Sequence, residues 1–153
     1  MNTIPTTSEA ITGLCQMIAV PSTFVQIVSR NEDGTGQVYI NSDSQVINIP
    51  VINEQTFRFS ETSSTEEGGK VYNQNVRGVI QQESAENKET IKTLEEGKWI
   101  VIVEQCDGIV RCFGSEFFPM SFAADRDSTK PYIPFEFVGI TIHESIIVTN
   151  NII

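Results

Sequence analysis

Lys98-Trp-Ile-Val-Ile-Val-Glu-Gln-Cys106, Asp107-Gly108 and Ile109-Val-Arg-Cys-Phe-Gly114 read as a strand, a turn and a returning strand. Asp-Gly favours a type I′ hairpin turn, whose two central residues both need positive φ. A two-residue turn sets Cys106 opposite Ile109, Glu104 opposite Arg111 and Cys112 opposite Val103. That register predicts a Glu104–Arg111 cross-strand pair of roughly 0.2–1 kcal/mol. It also gathers Trp99, Val101, Val103, Val110 and Cys112 on one core face. Cys106 and Cys112 then point to opposite faces and cannot bridge each other.

The rest of the chain repeats this β character. It has 20 Ile and 14 Val against 2 Leu and 5 Ala. Good helix formers are scarce and β-branched residues abundant, which favours strands. The expected fold is mainly β. One short helix should flank it near residues 84–96, where Ile91 and Leu94 make a narrow apolar stripe and Ser84 or Asn87 caps the start. Gly97 ends it. Phe24–Arg30 and Gln37–Ile40 read as a hairpin around Asn31–Gly36. Gln45–Ile52 is β-like, with Pro50 suggesting an edge. Thr56–Ser60 alternates, with Phe57 and Phe59 on one face. Val71–Gln82, Phe117–Ala124 and Tyr132–Ile142 read as further strands, and Asp125–Lys130 as a charged turn.

With 153 residues, the chain suits one domain spanning 1–153. Residues 1–22 are a potential N-terminal arm, with Ile11–Val20 open to either a strand or a helix. The segment 60–70, SETSSTEEGGK, has no apolar residue and reads as a flexible acidic loop. Residues 145–153 read as an apolar C-terminal strand that must pair with the domain or with a neighbour. The expected contact residues between subunits are therefore Ser60, Glu61, Glu66, Glu67, Gly68, Gly69, Ile146, Ile147 and Val148.

Charge and motifs exclude several function classes. The formal net charge is −10, spread along the chain as −3 over 1–53, −4 over 54–96 and −3 over 97–153. No basic patch is left to grip nucleic acid or anionic lipid. No apolar run reaches the roughly 18 residues of a spanning helix, so no membrane is expected. The N-terminus lacks the basic start of a secretory signal. The three cysteines, odd in number, argue against a disulfide framework.

Cys15, Cys106, Cys112 and His143 lie 91, 6 and 31 residues apart, unlike a zinc site. His143 is the one histidine. Any Ser-His or Cys-His device would run through it, and no nucleophile elbow accompanies it. Asp125-Arg-Asp127 with Glu116 is too sparse and too basic for calcium. Gly68-Gly69-Lys70 lacks the phosphate-loop spacing, and Val71 stands where that motif has a hydroxyl. No catalytic residue, metal or cofactor is expected.

A longer pattern runs through FRFSETSSTEEGGKVYNQNVRGVIQQ, IKTLEEGKWIVIVEQCDGIVRCFG, PMSF and PFEFVGITI. Its order is a strand, a Ser/Thr/Glu loop with glycine, a Tyr-containing strand, a short helix and a strand–DG–strand hairpin. Over residues 55–142 it resembles the tail-tube-like and neck-ring structural proteins of tailed bacteriophages, including crAss-like phages. The resemblance implies an antiparallel β-sandwich or rolled barrel with one flanking helix, in a non-enzymatic virion protein that self-assembles into rings of six or twelve subunits in the tail or neck. Such rings stack with other virion proteins and form a conduit for genomic DNA, without sequence-specific binding. They reside in the virion, after assembly in the host cytoplasm. The alternative is a monomeric β-sandwich binding or adhesion module for a glycan or protein partner. A glycan platform needs exposed aromatics, and Trp99 falls on the expected core face.

Overall fold

A computed structural model describes residues 14–41, 46–49, 58–81, 85–125 and 131–150. The chain is mainly β, as its composition predicts. The strands are β1 (Leu14–Pro21), β2 (Val25–Arg30), β3 (Thr35–Ile40), β4 (Ile47–Asn48), β5 (Arg58–Glu66) and β6 (Gly69–Gln81). After helix α1 (Ala85–Glu96) follow β7 (Trp99–Gln105), β8 (Val110–Phe113), β9 (Ser121–Ala124), β10 (Tyr132–Thr141) and β11 (Ile146–Val148). The larger sheet has seven strands in the order β2-β3-β11-β8-β7-β1-β4, and the smaller has four, β5-β6-β10-β9. The pairs are antiparallel except β11 with β3, which is parallel.

β7 explains the architecture. Its residues alternate between two separate cores, so the strand is apolar throughout. Trp99, Val101 and Val103 join the first core, with Phe113, Met120, the smaller sheet's Val76, Ile80, Phe122, Ile133, Phe135 and Phe137, and Ile91 and Leu94 of α1. Ile100 and Ile102 join the second, with Ile18, Val20, Val25, Val38, Cys112, Ile146 and Val148. This second core takes residues from β1 and from β2, far apart in strand order, so the larger sheet curls over onto itself. The fold is thus a curled sheet with the smaller sheet and the helix packed on its outer side. A backbone bridge between Trp99 and Met120 links the start of β7 to the segment entering β9.

The helix is as short and acidic as expected, with Ile91 and Leu94 buried and no base in its last turn. Its C-terminal end is held by packing. The Trp99 indole N–H donates to the Leu94 carbonyl at 2.8 Å. Gly97 makes room for that ring, because a Cβ there would stand 2.7 Å from a ring carbon of Trp99. Ser84 lies outside the described residues.

The Asp-Gly hairpin forms in a different register from the expected one. Val103 faces Arg111, Glu104 faces Val110 and Ile102 faces Cys112. The loop is Cys106-Asp107-Gly108, closed by Gln105 N–H donating to the Ile109 carbonyl at 2.8 Å. Only Gly108 has positive φ, at 94°, and no described residue other than glycine does. A type I′ turn would force Asp107 there. The three-residue loop with its glycine bulge avoids that cost. The slip of one residue exchanges faces: Cys112 enters the second core, and no Glu104–Arg111 pair forms. Arg111 instead lies 5.3 Å from the Phe59 ring centre.

Of the strand and the helix left open over Ile11–Val20, the strand forms: Leu14–Pro21, within the potential arm 1–22, belongs to the larger sheet and pairs with β7 and β4. Two other expectations change. The segment 60–70 is a β-hairpin and not a loop. Cys106 is disulfide-bonded, against the expectation of none. Cys112 is free, and burial pushes its thiol up to about 12, which makes it inert. Residues 1–13, Pro50, Phe57, residues 126–130 and residues 151–153 lie outside the described residues.

Candidate subunit interface

The β5–β6 hairpin carries most of the expected contact residues. β5 pairs with β6 from Arg58 opposite Arg77 to Glu66 opposite Gly69. Glu67 and Gly68 form the turn, and Gly69 follows at φ +120°. Every residue from Thr62 to Lys70 is exposed. Main-chain pairing holds this tip, because none of its side chains faces a core. That is why apolar periodicity does not reveal it.

Glu61 has a different role from Glu66 and Glu67. It points inward and accepts hydrogen bonds from Gln74 Nε2 at 2.7 Å, Ser145 N at 2.7 Å and Ser145 Oγ at 3.1 Å. Gln74, only 2% exposed, accepts in turn from Gly114 N at 2.9 Å. One carboxylate therefore ties the hairpin to the β10–β11 connection. Glu61→Ala leaves several donors without their acceptor and should cost about 1–3 kcal/mol in urea denaturation. Glu61→Gln, which keeps one carbonyl oxygen, should cost less. A loss for Glu61→Ala within about 0.5 kcal/mol of zero, the range of an ordinary surface change, would show that the network holds nothing.

Ile146 and Val148 require a correction. They are 3% and 8% exposed and lie in the second core. β11 runs between β8 and β3, with Ile147 opposite Arg111 and Thr35. The pairing continues past the strand, where the Asn150 side-chain amide donates to the Val38 carbonyl and accepts from Val38 N–H. The apolar residues of β11 thus serve the chain's own sheet. Of the nine expected contact residues, Ser60, Glu66, Glu67, Gly68 and Gly69 are exposed.

Sheet edges are the other requirement of an assembling β protein, since unpaired strands invite pairing. β2 is bulged between Ile27 and Ser29, and the Glu116 carboxylate accepts from its Ile27 N–H at 3.1 Å. β4 has two residues and β9 has four. β5 is an edge of nine residues with unbroken register. Among the described residues nothing pairs with its outer side.

The other candidate chemistry is absorbed by the fold. His143 borders a shallow cleft of about 180 Å³ with Ile27, Arg30, Ser115, Glu116, Phe117 and Phe118. Partial desolvation, and then the Arg30 guanidinium, hold the imidazole below its usual range. Arg30 donates to the Glu144 carbonyl at 3.0 Å, and Ser115 Oγ accepts from Phe118 N at 3.2 Å. Among the described residues, no hydrogen bond joins His143 to Ser115. No group of three or more His, Cys, Asp or Glu side chains among them is arranged to hold a metal. No helix among them is long and apolar enough to cross a membrane.

Protein-family models, curated proteins and solved structures were compared with the chain, and none matches.

Two surface features escaped the sequence reading. Phe117 is 85% exposed on the loop between β8 and β9. Arg58 stands on the free edge directly opposite Arg77. Neither carries a local signal, because edge position and loop exposure depend on strands distant in sequence.

Proposed function

We propose that this chain is a non-enzymatic structural protein of a tailed bacteriophage, assembling into rings in the tail or neck around a DNA conduit. The observation that carries the reading is the β5–β6 hairpin, a regular strand pair whose polar tip serves no core of its own chain. Such an element suits assembly, because a neighbouring subunit gives the exposed side chains of its tip a partner. The distributed charge of −10 suits a conduit, since acidic walls repel phosphate and let DNA slide. Rings of six or twelve subunits, stacked on other virion proteins, follow from the resemblance over 55–142.

Light scattering behind size exclusion, followed by negative-stain imaging, tests this. Rings or stacked tubes are the expected result. A strict monomer at every concentration would shift the reading to a binding module. Phe117 supports that second reading, being the most exposed large apolar side chain among the described residues.

A further inference from the structure

The free edge of β5 is self-complementary. We infer that two copies of this chain pair through it, β5 against β5 and antiparallel, joining the two smaller sheets into one. This goes beyond the ring reading and does not depend on it. The contact is two-fold and closes on itself, so it makes a pair; a ring would need a separate heterologous surface.

Three observations carry the inference. The first is contrast between edges. Among the described residues, β2 is bulged and bound by Glu116, β4 and β9 are very short, and only β5 is long and regular. Antiparallel pairing over nine residues would supply roughly eight to ten main-chain hydrogen bonds.

The second is charge. The two-fold centre that pairs all nine residues lies at Thr62. It sets Arg58 of one copy opposite Glu66 of the other, twice. Arg58 and Glu66 share a parity and both are exposed, so each pair falls on the same outer face of the joined sheet. Within one chain Arg58 faces Arg77, an unfavourable like-charge pair, and among the described residues no carboxylate partners it. The second copy supplies that carboxylate.

The third is side-chain fit. The same register sets Ser60 opposite Ser64, Glu61 opposite Ser63, and Thr62 against Thr62, and Thr/Ser pairs stabilise neighbouring strands. No like charges meet.

The test uses the full chain in sedimentation velocity over a concentration range. The wild type should form a dimer. Arg58→Glu, or Glu66→Arg, should raise its dissociation constant by roughly tenfold, because each converts two attractive pairs into repulsive ones. Arg58→Glu combined with Glu66→Arg should restore it. Thr62→Cys should cross-link under mild oxidation, since directly opposed residues lie about 4.5–5.5 Å apart, within disulfide reach. Ser64→Cys should not, because its own counterpart lies about 13 Å away in this register. A wild type monomeric throughout overturns the inference, as does a dimer indifferent to both charge reversals. Rings that persist unchanged in both reversals would support the virion reading and still overturn the β5 pairing.

Discussion

Trp99→Ala should unfold this protein about 10 °C earlier than the wild type. The side chain is 4% exposed and sits in the first core, between the curled sheet and α1. Truncating a buried aromatic of this size costs about 3–5 kcal/mol through lost burial and the cavity left behind. Domains of this length shift by about 2–4 °C per kcal/mol. Two further losses add to the cavity. Leu94 loses the indole N–H that caps α1, and Gly97 loses the ring it packs against. Trp99→Phe separates the contributions, since it keeps most of the volume and drops the hydrogen bond. It should cost about 1 kcal/mol for that bond plus a smaller packing loss. Thermal melts followed by circular dichroism check both. A Trp99→Ala variant that melted like the wild type but lost glycan binding would instead identify Trp99 as a ligand platform.

Phe137→Ala should be comparably damaging, at about 3–5 kcal/mol. Phe137 is fully buried on β10 and meets Phe122 edge-on at 5.1 Å and Phe135 at 6.0 Å between ring centres. Edge-to-face aromatic pairs add stability beyond their buried area. β10 pairs on both sides, with β6 and with β9, so loosening its centre loosens the whole smaller sheet. Denaturant titration should show the midpoint falling with little change in slope. A loss below about 1 kcal/mol would mean that the neighbouring rings collapse into the space and that the aromatic cluster is not what joins the sheets.

These residues also show how far the sequence was legible. Trp99 was readable as core because alternation along the strand sets it on one face with Val101 and Val103. The helix was readable because Ile91 and Leu94 stand alone in a polar segment. The Asp107-Gly108 turn was located correctly but misassigned by one residue. The same dipeptide serves a two-residue turn or the last two positions of a three-residue loop. That single residue decides whether Cys112 or Arg111 turns toward the first core. The β5–β6 tip was illegible as structure, because a strand that faces no core has no apolar period to detect. Ile146–Val148 was readable as a strand that needed covering. Its location between β3 and β8 was not, since both partners are remote in sequence. The free edge of β5 was invisible for a related reason: it is a property of strand order, and strand order is fixed by the completed sheet.

The position of β11 bears on how the molecule is made. Translation delivers β2 and β3 early and β8 much later, yet in the strand order β11 stands between β3 and β8. Until that strand leaves the ribosome, β3 and β8 have no shared neighbour, and Val38 and Cys112 lack the covering that Ile146 and Val148 provide. Until β11 arrives, the nascent chain carries uncovered apolar side chains on both β3 and β8. Covering them is a late step of high sequence separation, the kind that folds slowly and exposes intermediates to aggregation.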